Sequence, residues 1–488
     1  MSVARKAARG ALWTVVSSMG GRAVGVIGTL VMTRFLHPEQ IGEVADATVL
    51  AMSANWITIW GFGQYAVVRG RGPDAAEVTW HATVFYLVPG AFSLGLMALF
   101  GGSLASLIEA PGAAVYVPGM CLSLYIRRLG AIPERVLQRQ LQFRASGMSL
   151  VMGEISYTIV ALALAASGWG GMAIVIANIV QSIVVVAVLL KAAGIRSWWT
   201  PTPLRAARIK DMLRYGVPLG IQGIASQISR YWDRLAITYF FNTTAVGNYN
   251  LAYNLADVPA IQVGEQIALV LMPSMAELPP ERRARALERS TALLSLIIFP
   301  LAVGLGLIAY PLVELILPPK WQGVAPLLMV LACLSVFRPV TWVLSAYMEA
   351  ESKTNRLMFL EIAKAIALIG GIAVLSRFGL EVAAGAVGGA FGLSAIAGVA
   401  MVAREGPRPA VMFAGFLRPL AACGIMGLAV FGIHEGLVLL GLDHPALLVT
   451  AMIVGGGAAY VVAALVIARD SARDLLQLVK HALKRPPS

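Results

Sequence analysis

Residues 226–256 read SQISRYWDRLAITYFFNTTAVGNYNLAYNLA, and their first half sets Arg230, Asp233 and Arg234 in a stretch whose surroundings look like membrane. A charge near the bilayer centre costs roughly 2.5–3.5 kcal/mol on insertion scales, so such a segment is either no span or a span whose charges act. Composition decides for the span. Of 488 residues, 58% are hydrophobic and 13% charged, against about 25% charged in soluble domains. A helix needs about 20 apolar residues to cross ~30 Å of hydrocarbon, and such windows recur along the chain with short polar breaks. No soluble domain fits between them, and the chain reads as an all-α polytopic membrane protein.

Hydropathy predicts spans over 11–36, 41–66, 80–101, 113–132, 147–166, 169–190, 216–241, 246–272, 291–316, 322–348, 357–376, 381–403, 415–440 and 446–468, about fourteen helices in all. The net charge of +13 would point to nucleic acid in a soluble protein; here its distribution sets topology instead. Arg5, Lys6 and Arg9 precede the first span. The even-numbered loops carry Arg69 and Arg71, Arg127 through Arg144, Lys191 through Arg214, Arg282 through Arg289, Lys353 with Arg356, and Arg404 with Arg408. The odd-numbered loops are nearly free of basic residues, with Lys320 and Arg377 the exceptions. Both termini are therefore expected on the cytoplasmic side. MSVARKAARGALW lacks the short apolar core and A-x-A site of a cleavable signal, and reads as a cytoplasmic tail entering the first span. Cys121, Cys333 and Cys423 have no metal-type spacing and read as small buried hydrophobes.

The opening stretch also has a counterpart. LVMTRFLHPEQIGEVADATVLA, from Leu30, aligns without gaps on LAITYFFNTTAVGNYNLAYNLA, from Leu235. Identities fall at Leu30/Leu235, Thr33/Thr238, Phe35/Phe240, Gly42/Gly247, Ala47/Ala252, Leu50/Leu255 and Ala51/Ala256. Both copies open a six-span unit from the cytoplasmic side, as parallel repeats about an axis along the membrane normal would. Two parallel halves enclosing a cavity is a transporter plan.

GALWTVVSSMGGRAVGVIGTLVMTRFLHPEQIGEVADATVLA resembles the first hairpin of polysaccharide flippases in the multidrug, oligosaccharidyl-lipid and polysaccharide exporter superfamily. YWDRLAITYFFNTTAVGNYNLAYNLADVP with VLMPSMAEL is similar to that family's seventh and eighth spans. Proline stands at the first exit, His37-Pro38, and not at the second, Asn242-Thr243. The resemblance implies two pseudo-symmetric six-helix bundles arranged as a V, over 1–200 and 201–410. Two additional helices over 411–468 and a basic cytoplasmic tail over 469–488 would follow, the added helices as in lipid II flippases. It implies a polar, cationic cavity open alternately to either side. The cargo would be an oligosaccharide repeat unit on undecaprenyl diphosphate, flipped from the cytoplasmic to the periplasmic leaflet of a bacterial inner membrane for exopolysaccharide, capsule or O-antigen synthesis. The expected partners are that glycan lipid, the bilayer, and the polysaccharide polymerase and export machinery, without nucleic acid. The expected driving force is a proton or sodium gradient, with no resident cofactor or metal.

Helical geometry gives the charges their roles. Arg230, Asp233 and Arg234 stand at i, i+3 and i+4 on one face, with the arginines about 6 Å apart along the axis. Asp233 offsets one of them. The face can serve as a structural ion pair, or its surplus guanidinium can meet the oxygens of a diphosphate. Arg22 lies about 17 Å into the first span, opposite Gln227 in the repeat. Arg34 can snorkel to the outer interface. The substrate-binding set is thus Arg22, Arg230, Arg234, Arg338 on the tenth span and Lys364 on the eleventh. The ion-coupling or charge-pairing set is Asp233, Asp257 and Glu265 on the eighth span, and Glu361. Glu361 and Lys364 can neutralise each other at i, i+3, and Asp257, two residues before Pro259, can pair with Arg230 or Arg234. Glu154 and His81 read as interfacial. Gly20, Gly21, Gly25 and Gly28, with Pro218 and Gly220, permit close packing and bending. ELPPERRARALERS is expected to lie along the cytoplasmic surface.

Two other readings are open. A multidrug or toxin extrusion antiporter of the same superfamily would favour an acidic cavity, against the basic bias here. A membrane polysaccharide polymerase or glycosyltransferase would need a sizeable external loop or a soluble catalytic domain, and the sequence has no nucleotide-binding loop, metal cluster or nucleophile motif.

Overall fold

The computed structural model describes residues 20–21, 24–70, 73–140, 142–257, 275, 278–351, 353–403 and 406–484. Among these, the regular structure is entirely helical. The chain divides into two compact units, Met1–Gly247 and Asn248–Ser488.

The first unit holds α1 (24–32), α2 (Pro38–Trp56), α3 (Phe62–Arg69), α4 (Ala75–Leu107), α5 (Val117–Arg139), α6 (Phe143–Ala166), α7 (Met172–Ala193) and α8 (Ala206–Phe240), with the start of α9 (243–257). The second takes in the rest of α9, then α10 (Pro280–Leu307), α11 (Ala309–Ile316), α12 (Val324–Leu334), α13 (Arg338–Ala350), α14 (Thr354–Leu375), α15 (Leu380–Val402), α16 (Pro409–Leu439), α17 (Pro445–Ile467) and α18 (Arg469–Lys484).

Nine helical segments among the described residues are long and apolar enough to cross a membrane, from Ala75–Leu107 to Pro445–Ile467. They make this a multi-pass membrane protein. Large apolar side chains cover their outer faces: Leu99 is 79% exposed, Leu428 75% and Val466 75%. Such a surface would drive aggregation in water and suits hydrocarbon, where backbone polar groups are already satisfied inside each helix.

Small residues set the close contacts. In the first unit Gly21 and Gly25 of the first span face Glu154 of α6, and Gly28 faces Thr158. In the second unit α15 buries Ala383, Ala384, Ala386 and Ala390, and its Gly388 admits the side chain of Leu334. Without lipid-excluding hydrophobicity to drive helices together, such van der Waals packing carries much of their association.

Two segments differ from the hydropathy reading. The second span, expected without interruption over 41–66, breaks between Trp56 and Phe62. Gly61 there takes φ 68°, a left-handed conformation that glycine adopts without steric cost. The basic stretch 280–290, expected along the membrane surface, forms the first turns of α10. Leu287 and Thr291 are buried, Leu287 in a core with Leu294 and Ile298. The basic turns and the span therefore belong to one unbroken helix. Arg283 fastens the start, donating through Nε to the Leu278 carbonyl at 2.9 Å and through Nη1 to Glu351 at 2.7 Å.

Candidate functional site

In the first unit, α2 and α8 lie side by side. Trp232 Nε1 donates to Ser53 Oγ at 3.0 Å, and the Trp56 and Tyr231 rings meet with centroids 5.3 Å apart. About two turns further along, Thr238 Oγ1 donates to the Asp46 carboxylate at 2.8 Å. Asp46 is wholly buried. Arg234 is 9% exposed, and its guanidinium lies over the Tyr231 ring at 5.2 Å. Asp233 is buried too, its Oδ1 accepting the Arg234 backbone N–H at 2.9 Å. Arg230 is exposed. The expected charged face of α8 is thus split by burial: Asp233 and Arg234 turn into the first unit, and Arg230 reaches its surface.

A second buried guanidinium sits on α5. Arg128 is 3% exposed and enclosed by neutral oxygens. Its Nε donates to Asn55 Oδ1, its Nη2 to the Asn55 carbonyl and its Nη1 to the Tyr86 carbonyl, each at 2.6 Å. Nη2 also bonds Thr58 Oγ1, and the cation lies over the Tyr86 ring at 4.9 Å. These partners span the end of α2, the break after it, and α4, so Arg128 fixes the interrupted second span against two other helices.

In the second unit, Arg338 opens α13 and pairs with Asp257 of α9. Its guanidinium lies 5.1 Å from the Tyr253 ring and 5.0 Å from that of Phe391 on α15. Lys364 of α14 takes the same Phe391 ring at 4.8 Å and pairs with Glu361 at 2.8 Å. Two cations from different helices therefore share one aromatic ring, each with its own carboxylate. The ring's negative faces attract both, and each carboxylate offsets the cost of burying its cation.

The sequence pointed to the charged members of this second cluster and to the Glu361–Lys364 pair, but not to the Tyr253 and Phe391 rings, and it set Arg230 or Arg234, not Arg338, opposite Asp257. Arg22 and Glu265 lie outside the described residues. Glu154 accepts from Gln181 Nε2 at 2.9 Å. His81, expected near an interface, is fully buried. Its Nε2 accepts the Arg205 backbone N–H at 2.9 Å, and Nδ1 stands 2.8 Å from the Glu77 carbonyl. Through these two nitrogens the imidazole fastens the approach to α8 onto α4.

Asp46 and Arg128 escaped the sequence reading. Asp46 sits among alanines in EVADATVLA, and its partner is remote in the chain. Arg128 stands both in the span expected over 113–132 and in the basic run Arg127 through Arg144, and its contacts with Asn55, Thr58 and Tyr86 show it buried rather than in a loop.

Residues 31–326 match the sequence model of a family described as polysaccharide biosynthesis protein. The chain is similar to the lipopolysaccharide biosynthesis protein WzxC of Escherichia coli strain K12, 22% identical over 396 residues that cover 80% of this chain and 78% of that protein. It is similar to the succinoglycan biosynthesis transport protein ExoT of Rhizobium meliloti strain 1021, 23% identical over 377 residues, 76% and 74% of the two chains. Among solved structures, the lipid II flippase MurJ in an inward closed conformation superposes with a TM-score of 0.76 at 14% identity, over 94% of this chain and 99% of that one. An inward-facing multidrug transporter of the MATE family, within the MOP superfamily, gives 0.65 at 17% identity, over 81% and 95%. The fold is shared with both.

Proposed function

The chain belongs to the polysaccharide biosynthesis protein family, and from that premise we propose that it flips an undecaprenyl-diphosphate-linked oligosaccharide from the cytoplasmic to the periplasmic leaflet by alternating access. The observation that carries this reading is the burial of guanidinium groups in helices of a membrane protein: Arg128, Arg234 and Arg338 are 3%, 9% and 6% exposed. Evolution rarely retains such groups in a bilayer without an anion or a fixed partner to meet them. A diphosphate presents paired oxygens that match the guanidinium fork. In this reading Arg230 and Arg234 of α8, with Arg22, contact the diphosphate. In the second unit Arg338 and Lys364 are further cations for the cargo, held by Phe391, with Asp257 and Glu361 as their charge partners. Asp233 and Glu265 are the carboxylates for coupling to a proton or sodium gradient, in an inner membrane with both termini cytoplasmic. A polysaccharide polymerase and export machinery take the product onward.

The test is surface polysaccharide export in a strain carrying Arg230→Ala and Arg234→Ala together. Export falls at least tenfold while the protein stays at wild-type level in the membrane; wild-type export from a well-expressed double variant sinks the reading. Translocation of the glycan lipid in proteoliposomes, with and without proton and sodium gradients, identifies the coupling ion.

One observation favours a second reading, extrusion of cationic compounds. Asp46 is a fully buried carboxylate in the first unit, and the fold is shared with a MATE transporter. Accumulation of a fluorescent organic cation in cells with and without the protein separates the two.

A further inference from the structure

Beside the caged Arg128, the first unit contains a cavity of about 260 Å³ that opens to its surface. Its polar lining includes Arg127, Arg128 and Arg135 of α5, with Glu134 as the only acidic residue among the described residues that line it. The three arginines make no ion pair among the described residues. Gln138 lies between the neighbours Glu134 and Arg135, accepting from Arg135 Nη1 at 2.9 Å and donating to Glu134 at 3.4 Å. Arg128 is held by uncharged oxygens, so its full positive charge stays in place, and one of its five N–H groups is not used by the cage. The cavity therefore carries an excess of two positive charges in a low-dielectric surround, where an anion is strongly favoured.

The rest of the lining narrows the ligand. Leu124, Leu150, Val185 and Leu189 supply an apolar part of the lining. The volume lies just under the range of about 300–1,000 Å³ that holds whole small molecules, and suits a headgroup with the start of a chain. Arg135 is followed by Arg139 and Arg144, a density of basic residues that attracts anionic lipid to the cytoplasmic leaflet.

We propose that this cavity is a binding site for the phosphate ester of a membrane lipid, seated on Arg127 and Arg135 with Arg128 as the fixed charge beneath. Two sources share that chemistry, the phosphodiester of an anionic phospholipid and the diphosphate of a polyprenyl lipid. The site is separate from Arg230 and Arg234 on α8, and its occupancy is measured without transport, so it stands or falls apart from the flippase reading.

The experiment uses the full-length protein purified in a non-ionic detergent. Native mass spectrometry and thermal unfolding are followed as phosphatidylglycerol, undecaprenyl diphosphate or the uncharged diacylglycerol is added. The wild type binds at least one of the two phosphate lipids saturably and is stabilised by it. The double variant Arg127→Gln/Arg135→Gln binds at least tenfold more weakly while unfolding at the wild-type temperature in the absence of lipid. Arg196→Gln, at an exposed arginine outside the cavity, changes nothing. Preference for phosphatidylglycerol assigns the site to the bilayer, and preference for undecaprenyl diphosphate assigns it to a polyprenyl carrier. Equal binding by the double variant and the wild type, or equal binding of diacylglycerol, overturns the proposal. Arg128→Gln is unsuited to the test, because its loss strips the cage of its donor.

Discussion

Gly42 and Gly247 each occupy the space of the other's neighbouring backbone. A methyl group on Gly42 would overlap the Thr243 carbonyl oxygen, and one on Gly247 would overlap that of Pro38. In the aligned repeat Gly42 corresponds to Gly247 and Pro38 to Thr243, so the contact is reciprocal. The backbone at the start of α2 and the backbone of residues 243–247 are therefore in direct contact. Overpacking of this kind costs about 1–3 kcal/mol. Gly42→Ala and Gly247→Ala are each expected to lower the melting temperature of the purified protein. Because both open the same contact, the double variant should lose less than the sum of the two. Strict additivity in thermal melts would show that the helices do not meet there.

The Asp46 carboxylate depends on Thr238. Thr238→Val removes the hydroxyl at constant shape and should destabilise by about 1–3 kcal/mol, the cost of leaving a buried polar group without its partner. Asp46→Asn keeps an acceptor and should be milder than Asp46→Leu. Denaturation of the three variants in detergent gives the order; a Thr238→Val protein as stable as the wild type refutes the bond.

Arg128 and Arg127 are sequence neighbours with opposite expectations. Arg128→Gln leaves oxygens at Asn55, Tyr86 and Thr58 without their donor, each worth about 1–3 kcal/mol if buried unsatisfied. A loss of well-folded protein in size-exclusion chromatography is expected. Arg127→Gln, at an exposed position, should fall within about 0.5 kcal/mol of wild type.

Arg338 and Asp257 should answer to paired replacement. Asp257→Asn alone leaves a buried guanidinium short of its carboxylate, at a cost of about 3–5 kcal/mol. Asp257→Asn with Arg338→Met removes both charges and should recover most of that stability. Export by the stable double variant then reports on transport alone: unchanged export makes the pair structural, whereas lost export gives Arg338 a part in handling cargo.

Glu351, outside the spans, is held below its ordinary value of 4.5, first by its hydrogen bond from Arg283, with Lys353 adding to the effect. A depressed carboxylate stabilises the fold above that ordinary value and loses the contribution as pH falls through its folded pKa. Glu351→Gln should therefore melt below the wild type at pH 7, and the gap should close as the buffer is taken below about 4.5. A gap that persists unchanged in acid would place the effect elsewhere.

Much of this arrangement was legible in the sequence because hydropathy speaks locally. The spans expected at 169–190, 381–403 and 446–468 lie within a few residues of Met172–Ala193, Leu380–Val402 and Pro445–Ile467. The Glu361–Lys364 pair was readable for the same reason, since one helical turn determines it. Arg338 with Asp257, and Asp46 with Thr238, were not, because each joins helices whose mutual register no local pattern encodes. Arg128 was hidden in part by its place in a basic run and in part because its partners Asn55, Thr58 and Tyr86 lie on other segments of the chain. The break at Gly61 did have a local sign in the sequence WGFG, which hydropathy averaging smooths away.

The distance in sequence between Asp46 and Thr238, 192 positions, also sets an order of events in time. The ribosome delivers the carboxylate long before the hydroxyl that receives it, and the whole of α3 to α7 is made in between. His81 likewise precedes its partner Arg205 by 124 positions. The early helices must therefore wait in the translocon or the lipid with polar groups that only α8 and its approach can complete. Until α8 and its approach are made, Asp46 and His81 stand without these bonds, so the polar interior of the first unit closes only when α8 is in place.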